Sequence, residues 1–268
     1  MSQRDALARQ RDALGALSAR AGALRSPAAL RRLAASLDDD PRRGARALAA
    51  RCRRRAGGLE REARRFAGLL RLRARLAAEG ARVVAGVDEV GVGPLAGPVV
   101  AAAVVLPARP RLPGLDDSKR LTRRARERLA GEIRQQAEDC AVAEVWVEEI
   151  DRRNVYQAAL VAMQRAVEGL ENPPDHVLVD ARRIPGITAP QTSLVGGDGR
   201  DASIAAASVV AKVHRDRIME RLDGDYPGYG FARHMGYATR QHLQALRRLG
   251  VTPVHRRSFA PVAQLPLL

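Results

Sequence analysis

From residue 82 onward, short apolar runs alternate with longer stretches of helical period. Residues 82–90 (RVVAGVDEV) and 97–106 (GPVVAAAVVL) read as buried strands joined by a Gly-Pro turn. Residues 141–149 (AVAEVWVEE) predict a third strand ending at Glu148–Glu149. Over 149–170, Ile150, Val155, Ala158, Leu160, Ala162, Ala166 and Leu170 recur on one helical face. After Asn172-Pro173-Pro174 come a strand at 176–182 (HVLVDAR) and a shorter one near 187–195, and further helices are expected over 122–135, 202–222 and 239–249. This order implies an α/β fold with a mixed sheet flanked by helices.

Residues 1–80 have a different texture. They are almost free of β-branched residues and dense in Ala, Leu and Arg, all strong helix formers. Leu30, Leu33, Ala34 and Leu37 fall at helical spacing, as do Leu59, Ala63, Phe66, Leu69 and Leu70. The acidic run Asp38–Asp40 before Pro41 predicts a break between two helical pieces. We therefore expect a helical extension over 1–80 and an α/β domain over 81–268.

Charge sharpens that division. Of the net +16, the first 80 residues carry +12, from 20 arginines against 8 acids. Codon bias inflates arginine without removing acids, so the excess points to a polyanionic partner: nucleic acid first, an anionic membrane second. Cys52 and Cys140 form no metal-binding spacing, and no apolar run is long enough to span a bilayer. A cytoplasmic protein without a membrane partner is the expectation. Aromatics are only 3%, so Ala, Val and Leu must fill the core.

Candidate chemistry centres on Asp88 and Glu89, which end an apolar strand and precede a GxGP turn containing Gly91, Val92 and Gly93. Most Asp-Glu pairs are solvated surface charges. Here, burial would be costly without a cation, and hard oxygen donors select Mg²⁺ or Mn²⁺. Asp180 ends the strand HVLVD, and Asp198 precedes an uncharged helix start, where Asp201 is the better N-cap. Asp117 in GLDDSKRL reads equally as a cap or turn residue. Together, acids at strand ends and a helix start resemble a two-metal phosphodiester site. The only lysines, Lys119 and Lys212, stand in these same stretches and are candidate phosphate or carboxylate partners. Three tyrosines with Phe231 and His234 crowd into YPGYGFARHMGY (226–237). They suit stacking on a ribose or base, although Tyr226 and Phe231 fit a core-sealing role better. HRRSF (255–259) reads as a compact basic patch, either gripping phosphates or solvated.

Taken in order, AGVDEVGVGPLAGPVVAAAVVL (85–106), GLDDSKRL (114–121), VLVDARRIPG (177–186), GGDGRDASIAAASVVAKVHRD (196–216), YGFARHMGY (229–237) and HRRSF resemble the ribonuclease HII family. The resemblance covers 83–262. It implies a ribonuclease H-like mixed five-stranded sheet, and an endonuclease acting on RNA–DNA hybrids and on ribonucleotide-containing duplex DNA, as a monomer. It assigns catalysis and metal binding to Asp88, Glu89, Asp180 and Asp198, with two Mg²⁺ or Mn²⁺ ions and products ending in 5′-phosphate and 3′-hydroxyl. Substrate contacts fall on Gly91, Val92, Gly93, Lys119, Lys212 and Tyr237, the last packing against the sugar at the RNA–DNA junction. One departure stands out: the family usually has arginine where this chain has Val92. Cleavage of long hybrids is then expected to persist, while preference for a single embedded ribonucleotide weakens. Alternatives are a hybrid-binding protein with weak catalysis, or another nuclease or recombinase on the same fold.

Overall fold

A computed structural model of the chain describes residues 14–264. It comprises two compact units, Met1–Ala67 and Gly68–Leu268. Residues 1–13 of the expected helical extension, and 265–268 of the α/β domain, lie outside the described residues.

The first unit holds a helical stretch at 14–23, helix α1 (Pro27–Ala35) and most of helix α2 (Arg43–Leu69). Ser26 caps α1, its hydroxyl accepting from the Ala29 amide, and Pro27 occupies the first turn, where its missing N–H costs nothing. Leu30, Leu33, Ala34 and Leu37 are buried against Ala45, Leu48, Ala49, Cys52 and Ala56 of α2, as their spacing predicts. The second stripe behaves differently. Leu59 is partly buried on this cluster and Leu69 is buried, but Ala63 is exposed. Among the described residues of this unit, α1 is only nine residues long against 27 for α2, so the later turns of α2 lie beyond its reach.

The second unit opens with helix α3 (Arg71–Ala78) and then builds one sheet. Its strands are β1 (Val84–Val90), β2 (Val99–Val105), β3 (Asp139–Val145), β4 (His176–Asp180) and β5 (Gln191–Leu194), in the order β3-β2-β1-β4-β5. β1–β2 and β2–β3 are antiparallel, whereas β1–β4 and β4–β5 are parallel. The helices are α4 (Arg123–Gln136), α5 (Val147–Arg153), α6 (Val155–Glu168), α7 (Ala202–Asp225), α8 (Phe231–His234), α9 (Arg240–Leu249) and α10 (Ala260–Ala263). The five-stranded mixed sheet expected from the sequence is present.

The pleat of β1 divides the core. Ala85 and Val87 pack with Ala158, Ala162, Met163 and Ala166 of α6. On the opposite face, Val84 and Leu178 meet Leu76 of α3 and Ile204 of α7. Alanine and valine let α7 lie unusually close to β1. A Cβ at Gly86 would fall 2.1 Å from the Ser203 carbonyl carbon and 2.4 Å from the Ile204 amide, so only glycine fits. Asp201 caps α7: its Oδ1 accepts from Ser203 N (2.7 Å) and Ile204 N (3.3 Å), and burial raises the carboxyl to about 6.

Two expected boundaries shift. The third strand stops at Val145 rather than at Glu148–Glu149, and those acids sit in the first turn of α5, where the helix dipole favours them. The single helix expected over 149–170 is broken at Asn154, which takes φ 76° and caps α6 by accepting from the Gln157 amide. With ψ 158° this backbone lies outside the left-handed helical well, in a region that glycine usually occupies, and the cap to the Gln157 amide helps to hold it.

Gly86→Ala should lower unfolding free energy by about 3 kcal/mol, the upper range for overpacking a core. Urea midpoints compared at equal m-values check this, and a midpoint shift near zero would show that α7 can retreat from β1.

Candidate active site

Adjacent residues of a strand point to opposite faces, so β1 sends Asp88 towards α7 and Glu89 towards α6. β4 runs parallel beside it in the register Val87–Val179, and Asp180 therefore ends the neighbouring strand level with Asp88. Asp198 arrives from the short turn Gly197–Gly199 before α7. The Gly197 amide donates to Asp180 Oδ1 (2.7 Å), and a side chain at 197 would press on Ile204 and Leu194. The structure thus brings together all four predicted carboxylates.

Their electrostatics are those of crowded, buried anions. Asp88 is 5% exposed, and burial, then Glu89 and Asp180, raises its carboxyl well above the usual range, against the lowering effect of Ser208. Glu89 is raised by burial, opposed by Arg182 and supported by Asp180. Asp198 is raised by burial and by Asp117, with which it shares a hydrogen bond, while Lys119 opposes the shift. Asp117, which the sequence left as a cap or turn residue, is therefore a direct neighbour of the cluster. Such a set of hard oxygen donors, with more negative charge than nearby cations offset, suits divalent ions. Among the described residues, no three His, Cys, Asp or Glu side chains are already drawn in to metal-holding distance.

Two cations border the cluster. Lys119 Nζ stands 3.7 Å from Asp198 Oδ2 on a side chain that is 81% exposed. Partial burial opposes its charge, but Asp198, Asp117, Asp88 and Asp180 outweigh it and raise Lys119. Arg182, which sequence reasoning missed, lies 3.2 Å from Glu89 Oε1 and 5.2 Å over the ring of exposed Tyr156. Its position two residues after Asp180 was the available signal. Lys212 does not reach the carboxylates; it is paired with Asp216 at 2.5 Å, one turn along α7. Its helix approaches Asp88 through the earlier residue Ser208, which also meets Ser118 at 2.9 Å.

The loop after β1 is held by two arginines whose side chains are fully buried. Arg215 donates to Pro98 O (2.9 Å), Ala96 O (3.0 Å) and Met235 O (3.0 Å). Arg256 donates to Gly91 O (2.6 Å), Val92 O (3.1 Å) and Gly97 O (2.8 and 3.0 Å). Neither makes an ion pair among the described residues, and burial pushes them down to about 10 and about 9. HRRSF is thus not a surface patch: His255 and Arg256 are buried, and only Arg257 of the two arginines is exposed. In a trans peptide the N–H opposes the C=O. With the Gly91 and Val92 carbonyls turned to Arg256, the Val92 and Gly93 amides face away from it, and neither has a partner among the described residues. Gly91, at φ 91°, leaves the space that the Arg215 guanidinium fills.

Tyr237 is 44% exposed, and its ring lies against Gly93, 3.7 Å from where a Cβ would stand. Core sealing falls to Tyr229 and Phe231, stacked at 5.4 Å, rather than to Tyr226. Around them, His234, His242 and His255 are buried, with Nε2 of His242 and His255 3.1 Å apart. His242 Nδ1 pairs with Tyr237 O, so the network anchors the segment that presents Tyr237.

Residues 85–262 match the family model for ribonuclease HII. The chain belongs to the ribonuclease HII family. It is 53% identical over 230 residues to a ribonuclease HII of Myxococcus xanthus, covering 85% of this chain and 78% of the relative. A ribonuclease HII of Geobacillus kaustophilus is 58% identical over 190 residues, covering 71% and 73%. The crystal structure of ribonuclease H2 from Pyrococcus horikoshii aligns with a TM-score of 0.60 at 29% identity, over 68% of this chain and 96% of that one. The chain is accordingly a ribonuclease H, a nuclease among the hydrolases. No helix among the described residues is long and apolar enough to cross a membrane.

Arg256→Met should lower stability by about 2–4 kcal/mol, because several buried carbonyls lose their donor together. It should also depress cleavage, whereas the exposed neighbour Arg257→Gln should change stability by less than about 0.5 kcal/mol. Denaturant unfolding and hydrolysis rates of the two variants measure this.

The histidines set an acid limit. Burial pushes His242 down to about 4 and His255 to about 3, from 6.5 when unfolded. The unfolded chain therefore binds protons that the fold refuses, and stability falls as pH drops from about 6.5 towards 4. Urea unfolding across that range should show the decline, and His255→Asn should flatten it; an unchanged slope would contradict the assignment.

Proposed function

We propose that this ribonuclease H hydrolyses the RNA strand of RNA–DNA hybrids, and the ribonucleotide-containing strand of duplex DNA, at a two-metal site formed by Asp88, Glu89, Asp180 and Asp198. The observation that carries this is the meeting of two parallel strand ends and one turn, which gathers four carboxylates with too little positive charge to neutralise them. The donor set is all oxygen and fits Mg²⁺ or Mn²⁺. Such ions, when bound, activate water for in-line attack and stabilise the leaving 3′ oxygen, giving 5′-phosphate and 3′-hydroxyl ends.

The remaining work belongs to this chain's own groups. The outward Val92 and Gly93 amides offer donors for a 2′-hydroxyl, and Tyr237 beside Gly93 offers a face for the sugar. Lys119, exposed above Asp198, is placed to meet a phosphate, as is Arg182 beside Glu89. Lys212, the further candidate for the bound backbone, is paired with Asp216 in the free protein. Residues 81–268 supply the catalytic domain, and the helical region 1–80 extends it. Val92 packs by its side chain against the core and takes part in substrate reading through its backbone alone. Long hybrids should therefore be cut well, and single embedded ribonucleotides with less preference.

Asp88→Asn should reduce cleavage at least about a hundredfold while the fold survives. Cleavage by Asp88→Asn equal to that of the parent would move the active site away from Asp88. Val92→Arg, compared with the parent on a long hybrid and on a duplex with one ribonucleotide, tests the second element. The ratio of rates should move towards the single ribonucleotide, and equal, unaltered rates on both substrates would refute a role for this position.

A further inference from the structure

Helix α2 carries nine arginines against two glutamates. Its inner face is spent on the first unit's own core, where Ala45, Leu48, Ala49, Cys52 and Ala56 are buried. At 100° per residue, Arg43, Arg54 and Arg61 fall within about 20° of one another opposite that face, with Arg64 about 60° to one side of them. All four are exposed.

Side-chain pairing separates these arginines from the rest of α2: Arg53 and Arg65 pair with acids, while Arg46, Arg51 and Arg55 donate to Pro41 O, Ser18 Oγ and the Ala21 and Gly22 carbonyls. Four acids among the described residues of the unit are taken up by other arginines: Glu60 by Arg31 (2.7 Å), Asp40 by Arg42 (2.5 Å), Asp38 by Arg53 and Glu62 by Arg65 (2.8 Å). Arg43, Arg54, Arg61 and Arg64 make no ion pair among the described residues. Between them the outward surface is low, formed by Ala47, Ala50, Gly57 and Gly58, and a Cβ at Gly58 would meet nothing within 4 Å. From Arg43 to Arg64 the row runs about 30 Å at 1.5 Å per residue.

We propose that this face of α2 is a binding surface for the sugar-phosphate backbone of a nucleic-acid duplex, independent of base sequence. Guanidiniums that hold no ion pair, set along a shallow surface, suit a line of phosphates, which they can engage with two parallel bonds each. A bilayer is the poorer fit: an interfacial helix needs a free apolar face to insert, and that of α2 is buried in its own unit. A specific protein partner is also poorly served, since the row has no aromatic or large apolar anchor. The surface supplies affinity rather than chemistry. It deepens the proposed function and rests on the reading of the chain as an enzyme acting on duplexes.

The test is equilibrium binding of the full chain to a labelled RNA–DNA hybrid in EDTA, where no cleavage occurs, followed by fluorescence anisotropy across a salt series. Replacing Arg43, Arg54, Arg61 and Arg64 together by Gln should weaken binding at low salt at least tenfold. It should also reduce the slope of log K against log salt by about 3 to 4, near 0.9 per lost phosphate contact. The matched control replaces the paired Arg31, Arg42, Arg53 and Arg65 by Gln, removing the same number of charges. It should change the slope by less than about 1, since those charges already face acids. Lysine at the four row positions should recover most of the slope. An unaltered slope in the row variant, or equal losses in row and control variants, overturns the proposal. Circular dichroism verifies that each variant keeps its helices. Hydrolysis by the parent with Mg²⁺ is scored separately, so failure of the nuclease reading is distinguishable from failure of this surface.

Discussion

The constraint on which the site depends is the fixing of one loop by buried charge. Gly91 to Pro98 connects the strand that ends in Asp88 and Glu89 to its antiparallel partner, and irregular backbone there leaves several carbonyls without ladder partners. Arg215 and Arg256 satisfy them from inside, one from α7 and one from near the C-terminus. A guanidinium presents five donors in a rigid plane, so two such groups determine where each carbonyl points. The amides of Val92 and Gly93 are turned outward as a consequence. A side chain at Gly91 or Gly97 would run into the space that Arg215 and Met219 occupy.

Carboxylates and loop are brought to one place by packing that uses small residues. Gly86 lets α7 approach β1, and the alanines of β1, β2 and α6 keep the other side of the sheet thin. The same helix then delivers Ser208 near Asp88 and Arg215 beneath the loop. Parallel pairing of β1 with β4 aligns two acid-bearing strand ends, and the turn ahead of α7 adds Asp198. Each contact that positions the chemistry is also a contact that stabilises the domain.

Much of this was legible in the chain itself. Apolar runs marked β1, β2, β3 and β4, because the central strands of a sheet packed by helices need nearly continuous hydrophobic segments, whereas β5 (Gln191–Leu194) is polar and half-buried. Asp88, Glu89, Asp180 and Asp198 stood out as acids at the ends of such runs or before a helix. Less legible were features set by tertiary partners. Arg256 reads as a surface charge because nothing local shows that loop carbonyls await it from residues 91, 92 and 97. Arg182 depends on the approach of β4 to β1, and Tyr229 on the histidines around it. Lys212 illustrates the reverse case: scarcity of lysine drew attention to it, but Asp216, one turn away, is its partner. The break at Asn154 was hidden because apolar spacing continues across it while the backbone turns.

The central claim, that four carboxylates share two divalent ions over the scissile strand, is most directly tested by counting ions. Calorimetric titration of Mn²⁺ into the full-length chain, bound to a hybrid made uncleavable at the reacting position, gives the stoichiometry. Two ions per chain, with at least one lost on Asp180→Asn or Asp198→Asn, is the expected result. An unchanged stoichiometry in both variants, or no ion bound at all, would contradict it.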